Sequence, residues 1–164
     1  DNNIDPNNVA GIEVHVKESN LKMCNIESPM TGLEGKFSLR FTAAMALLGE
    51  NTGLIANFND EKVQDPEIIA VRDKITVVPS QEMGLAEAEV VITMNDGSVH
   101  RLRLDVETPE SDLDRQWSRL STKFLDNATP VIGAANARQV VDKVRRLEDC
   151  RDIGEIVRLC VASS

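Results

Sequence analysis

The sequence predicts an α+β fold: an antiparallel sheet of about four strands packed with helices, followed by carboxy-terminal helices. Three observations point there. Runs of two-residue alternation occur near both ends of the first hundred residues without the regular strand–helix–strand rhythm of a parallel α/β sheet. An Asn95-Asp96-Gly97 turn sits between two such runs, the short-range signature of a hairpin. After Pro109 the apolar spacing changes to three and four residues and stays helical to the end.

Taken in order, the first element is VAGIEVHV, residues 9–16. Ile12, Val14 and Val16 fall on one face and Glu13 and His15 on the other, as in a half-buried strand. Residues 17–29 are polar and irregular. From 37 to 48 the pattern is helical, with Phe37, Phe41, Ala44, Met45 and Leu48 on one stripe. Leu39, Ala43, Ala46 and Leu47 add apolar surface elsewhere, so this helix is expected to be buried on most sides and to stop at Gly49. DPEIIAVRDK begins with Asp65 as N-cap and Pro66 at the first helical position. KITVV follows as a strand ended by Pro79. In the hairpin, Val90, Ile92 and Met94 form one face, continued after the turn by His100, Leu102, Leu104 and Val106, with Arg101, Arg103 and Asp105 toward solvent. SDLDRQWSRLSTKFL is an amphipathic helix capped at Ser111 or Asp112, with Leu113, Trp117, Leu120 and Phe124 on its apolar side. Ala137, Val140, Val141, Val144 and Leu147 repeat that geometry, as do Ile153, Ile156, Val157, Cys160 and Val161. The chain thus divides into an α+β region, residues 1–110, and carboxy-terminal helices, residues 111–164.

The totals bound the function. A chain of 164 residues with 41% hydrophobic and 27% charged residues can bury a core and is not compositionally disordered. A formal charge of -9 argues against non-specific nucleic-acid binding, which needs a basic surface. No apolar run approaches the roughly 20 residues that span a bilayer, and no secretory leader pattern is present. Cys24, Cys150 and Cys160 are odd in number and widely spaced, which fits a reducing compartment. Cytoplasmic is the expected location, with an organelle matrix also open. The chain opens Asp1-Asn2-Asn3 without Met. That is expected either of a chain whose helical partner segment lies upstream or of a processed or recombinant product.

Chemistry is sparse. His15 lies on the polar face of a strand and His100 on an apolar one, and neither has a ligand-type residue at metal spacing. Both read as structural, and no metal site is expected. Cys160 on an apolar stripe reads as core. No nucleophilic cysteine is identified by a base or a depressed pKa. Asp60, Glu61 and Asp65, and Asp112 and Asp114, stand where carboxylates stabilise helix N-termini. A complete small hydrolase would need a nucleophile–base set that the sequence does not offer.

The stretch TGLEGKFSL, residues 31–39, suggests a phosphate loop. A Walker loop needs Gly, four spacers and Gly-Lys-Ser/Thr. Counting back from Gly35-Lys36, the first glycine falls on Met30, and the hydroxyl position holds Phe37. It is not a nucleotide loop. Two readings remain: an anion site of Lys36 and Ser38 ahead of a helix, or a tight turn with Ser38 or Thr31 as cap.

Three blocks in order, TGLEGKFSLRFTAAMALL, NDEKVQDPEIIAVRDKITVV and AEVVITMNDGSVH, resemble the carboxy-terminal region of the MmgE/PrpD family. That family includes 2-methylcitrate dehydratase, cis-aconitate decarboxylase and iminodisuccinate epimerase. The resemblance covers most of residues 9–125, and the later helices match in kind. It implies a two-domain lyase or isomerase that needs no cofactor and forms a homo-oligomer, usually a dimer. Its substrates would be small di- and tricarboxylates, and its α+β region would act as a lid over a helical domain. A proton next to a carboxylate is removed, then water or carbon dioxide is lost or the proton returns to the other face. The family's Lys-x-Tyr/Phe-Pro…His motif is absent here, so no catalytic residue is transferred and the chain alone is expected to be inactive. The resemblance implies that Lys36 and Ser38 lie close to the interdomain cleft, and it makes them substrate-side candidates. The terminal helices would pack on the helical domain. The competing expectation is a free-standing binding or oligomerisation module of the same fold.

Overall fold

The computed structural model describes residues 4–162. In chain order its elements are β1 (Val9–Lys17), α1 (Leu21–Cys24), α2 (Gly32–Gly35), α3 (Leu39–Leu47), α4 (Asp60–Val63), α5 (Pro66–Arg72), β2 (Ile75–Ser80), β3 (Glu87–Met94), β4 (Val99–Asp105), α6 (Leu113–Ile132), α7 (Ala134–Arg145) and α8 (Gly154–Leu159). The chain forms two compact units. One runs to Thr52 and resumes over Ala56–Pro109; the other comprises Gly53–Ile55 and the chain from Glu110.

In the first unit the four strands are ordered β2-β1-β3-β4. The expected α+β class holds, and two of the three pairings are antiparallel. The third departs from the expectation: β2 runs parallel to β1, with Ile12 opposite Ile75 and Val16 opposite Pro79. The chain between them passes through α1 to α5, and a long helical crossover returns it to the starting end, as parallel pairing requires. Pro79 does not end β2, which continues to Ser80. An edge strand tolerates the missing N–H.

The alternation in β1 buries Ile12, Val14 and Val16 as read from the sequence. These meet Ile75 and Val77 of β2 and Phe41, Ala44, Met45, Val63, Ile68 and Val71 of the helices, with Val90, Ile92 and Met94 of β3 packed against them. Helix starts follow their capping chemistry. Asp65 accepts from Glu67 N at 2.9 Å with Pro66 at the first position, and Ser38 accepts from Phe41 N at 3.2 Å. The helix expected from Phe37 therefore begins at Leu39, and Phe37 is exposed. At its end Gly49 adopts φ 79°, and Glu50 N bonds to Met45 O while Gly49 N bonds to Ala46 O. That left-handed closure strains any residue with a Cβ.

The Asn95–Gly97 turn closes as expected, with Met94 N donating to Ser98 O at 2.8 Å and Gly97 at φ 84°. Beyond it, the face expected to be inner is not covered. Leu102, Leu104 and Val106 are 67%, 61% and 73% exposed. On the reverse face, Arg101 pairs with Glu89 at 3.3 Å and Arg103 with Glu87 at 2.5 Å.

The Glu87 pair makes the hairpin acid-sensitive. The Arg103 guanidinium, and then the Gly84 N–H, hold the Glu87 carboxyl down from its ordinary 4.5 to about 2. A carboxylate with a depressed folded pKa contributes stability that is present above the unfolded value and lost as pH falls through the folded one. The β3–β4 hairpin should therefore weaken between about pH 4.5 and about 2. Glu87→Gln should flatten that part of the profile, read as amide exchange along β4 against pH. An unchanged profile would remove the pair from the account.

In the second unit, Ile132, Ala137, Val140 and Ile156 form a small core, with Phe124, Leu125, Ala128, Cys150 and Leu159 against it. Asp112 caps α6 by accepting from Arg115 N at 3.0 Å. Asn127 ties the 53–55 segment to that helix, donating to Gly53 O at 3.0 Å and accepting from Ile55 N at 2.9 Å. Trp117 lies under the Arg145 guanidinium at 5.7 Å, and Arg145 also reaches Asp114 at 3.2 Å. Much of the expected apolar stripe is open: Leu113, Leu120, Val144, Leu147, Ile153, Val157 and Val161 are all exposed. Cys160, read from the sequence as core, is exposed as well. Cys160 follows the last residue of the six-residue α8, in which Ile156 is buried and Leu159 packs against the same core. No helix among the described residues is long and apolar enough to cross a membrane.

Candidate functional site

The stretch 31–38 is built by two consecutive caps. Thr31, in extended conformation, accepts from Glu34 N at 3.2 Å and starts α2. Glu34 reaches back to accept from Met30 N at 2.6 Å. This reciprocal arrangement closely resembles a capping box, in which the side chains satisfy N–H groups that the first turn leaves free. Gly32 N donates to Asp60 Oδ1 at 2.7 Å, fastening α2 to the start of α4. The fit there is close: a Cβ on Gly32 would lie 2.3 Å from Phe58 O and 2.5 Å from Asn59 Cα. Gly35 is similarly confined, its Cβ position 3.0 Å from the Phe41 ring.

These contacts place the two candidate residues differently. Lys36 is exposed at the end of α2, and among the described residues no hydrogen bond or ion pair holds its ammonium. Ser38 is 1% exposed, and its hydroxyl is occupied in capping α3, a bond that contributes about 1 kcal/mol. The same turn is stitched to the segment before it: Ile26 N donates to Phe37 O at 3.1 Å, and Asn25 bridges Ser38. A loose cation thus stands on a rigid turn. Such a group can meet an anion without first giving up another partner.

Arg40, one helical position inside α3, is the cation that sequence reasoning passed over. Its guanidinium is spent on structure: Nε donates to Ile75 O at 3.1 Å, Nη1 to Asn25 Oδ1 at 3.0 Å, and Nη2 pairs with Glu27 at 3.0 Å. It joins α3, β2 and the loop before α2, which leaves Lys36 the freer charge.

A second feature, also missed, is a shallow polar depression of about 370 Å³ lined by Lys17, Glu18, Ser19, Lys22, Ser80 and Gln81. It lies where the parallel strands β1 and β2 both end. Lys17 Nζ already donates to Met83 O at 3.3 Å, and Gln81 leans on Glu18 at 3.5 Å. With Glu18 beside two lysines, its charge is mixed. Only the spacing of Lys17 and Lys22 about Ser19 hinted at it in the sequence, because Ser80 and Gln81 arrive from 60 residues downstream.

His15 bonds to Glu13 at 2.9 Å on the open face of β1. No group of three or more His, Cys, Asp or Glu residues among the described residues could hold a metal ion. The family model described as the MmgE/PrpD C-terminal domain matches residues 1–149. No curated protein matches the chain.

Proposed function

We propose, from the premise that this chain belongs to the MmgE/PrpD family as its C-terminal domain, that it serves as the lid of a cofactor-independent lyase or isomerase. The substrate class is small di- and tricarboxylates. The reaction is dehydration, decarboxylation or epimerisation, with the catalytic groups supplied by a helical domain. The family match over residues 1–149 carries this reading. The free Lys36 ammonium supports it, since an enolate-forming step next to a carboxylate needs cationic groups to hold the substrate's charge. In this reading Lys36 meets a substrate carboxylate, and Ser38, through its cap, fixes the turn that presents it. The whole enzyme is a homo-oligomer working in the cytoplasm.

Two measurements test this. Citrate, as a tricarboxylate probe, should shift the amide resonances of residues 31–38 in this chain. Lys36→Gln should abolish the response and Lys36→Arg should keep it. A response indifferent to Lys36→Gln, or none in the parent chain, would remove Lys36 from the substrate side. Independently, an immunoblot of the source cells with an antibody against this region should show a band roughly three times the mass of the 18.0 kDa chain. A band at 18.0 kDa alone would put the free-standing binding module in place of the lid.

A further inference from the structure

We infer that the open edge of β4 pairs with β4 of a second copy of this chain, antiparallel about a two-fold axis at Arg103, joining two four-stranded sheets into one. β4 is the outer strand of the sheet. Met94 N bonds to Ser98 O and Val106 N to Ala86 O, so the even-numbered residues of β4 direct their backbone groups at β3. By the alternation of an antiparallel ladder, Val99, Arg101, Arg103 and Asp105 then turn their N–H and C=O groups outward.

The two edges of the sheet differ. β2 carries Pro79, which lacks a donor and blunts that edge. β4, VHRLRLD, has no Pro, Gly or Lys, and its register with β3 runs unbroken from Val99 to Asp105. Its Arg101, Arg103 and Asp105 are charges that blunt an edge toward unmatched strands, so a strand that pairs here must bring the opposite charges in register.

Charge and strand length together favour one register. An axis at Leu104 would also set Arg103 against Asp105, but β4 ends at Asp105, so only residues 103–105 would pair. With the axis at Arg103, Arg101 of each copy stands opposite Asp105 of the other, and Leu102 opposite Leu104, so two opposite-charge pairs and two leucine pairs form. Moving the axis to Leu102 sets Arg101 against Arg103, a like-charge pair that destabilises. At the axis itself Arg103 faces its own copy, but each guanidinium is drawn back to Glu87 of its own chain at 2.5 Å. The leucines brought together are the pair left 67% and 61% exposed on the core side of the sheet. Pairing therefore covers both the free backbone edge and part of the uncovered apolar face.

Sedimentation of the intact chain over a range of concentrations tests this. The parent chain should show a monomer–dimer equilibrium. Arg103→Pro removes an outward N–H together with the Glu87 pair within the hairpin, and should weaken the dimer at least about tenfold, through lost ladder bonds and cross-strand pairs. Amide protection at Leu102 and Leu104 should persist in that variant, which shows that β3–β4 is intact. Arg101→Asp alone and Asp105→Arg alone should each dimerise poorly, and an equimolar mixture of the two should form a heterodimer. A parent chain that stays monomeric overturns the inference. So does a dimer indifferent to these substitutions, which would place the contact on the exposed helices instead.

Discussion

Phe41→Ala should bring the sheet-bearing unit to the edge of unfolding. Phe41 is 0% exposed, lies edge-on to Phe58 at 6.1 Å between ring centres, and fills the space against which Gly35 is packed. Truncating a buried Phe to Ala costs about 3–5 kcal/mol, counting both lost transfer energy and the cavity. The total stability of a domain is about 5–15 kcal/mol. The loss would thus consume about a fifth or more of what holds the unit together. Phe41→Leu, which keeps most of the volume, should cost much less. Denaturant titration followed through the sheet signal reads both. An alanine variant within about 1 kcal/mol of the parent would mean that the site collapses around the gap, and Phe41 would lose its place at the centre of the core.

Gly32→Ala should be the second most damaging change, for the opposite reason. The added methyl would come within 2.3 Å of Phe58 O, 2.5 Å of Asn59 Cα and 2.7 Å of Asn59 N. All three are backbone atoms, which cannot rotate away as a side-chain tip can. Either α2 or the 58–59 segment must move, and overpacking of this kind costs about 1–3 kcal/mol or more. The movement also pulls Gly32 N from Asp60 Oδ1, so the Gly32 amide should lose its protection against exchange. Because Lys36 sits one residue beyond α2, any citrate response should be displaced or weakened in the same variant. Gly11→Ala is the matching control, since nothing lies within 4 Å of its Cβ position. Equal tolerance of both substitutions would show that the close approach at Gly32 does not constrain the turn.

What the sequence revealed follows the reach of each interaction. Local chemistry was legible. Asp65-Pro66 and Asp112 start helices, Gly49 ends one, and the Asn95–Gly97 turn forms because each of these depends on a few adjacent residues. The alternation of β1 also predicted its buried face correctly. Long-range arrangement was not legible. Nothing local to residues 75–80 states that they lie parallel to residues 12–17. Alternation in β4 assigns Leu102 and Leu104 to a face but does not tell whether anything covers it. The same limit misplaced Cys160, whose stripe has too few neighbours.

At the candidate site, Lys36 stood out as a cation beside two glycines. The cap of Ser38 on Phe41 N is local and was among the readings of the sequence, whereas the engagement of Arg40 depends on Asn25, Glu27 and Ile75. Those partners come from other parts of the chain. The lining of the polar depression is split in the same way between residues 17–22 and 80–81.

The placement of β1 at the middle of the sheet also sets the order of events in folding. β1 is synthesised first of the four strands, yet both of its neighbours lie more than 50 residues downstream. The β3–β4 hairpin needs only a tight turn and can close in about 1–10 μs. Seating β1 between β2 and β3 requires two long loops to close before any contact repays their entropy. Nucleation therefore waits on the strand that has waited longest, and its apolar face of Ile12, Val14 and Val16 is the surface most open to wrong partners until β3 arrives. Substitutions in β1 should slow folding, whereas those at the outer edge of β4 should mainly hasten unfolding.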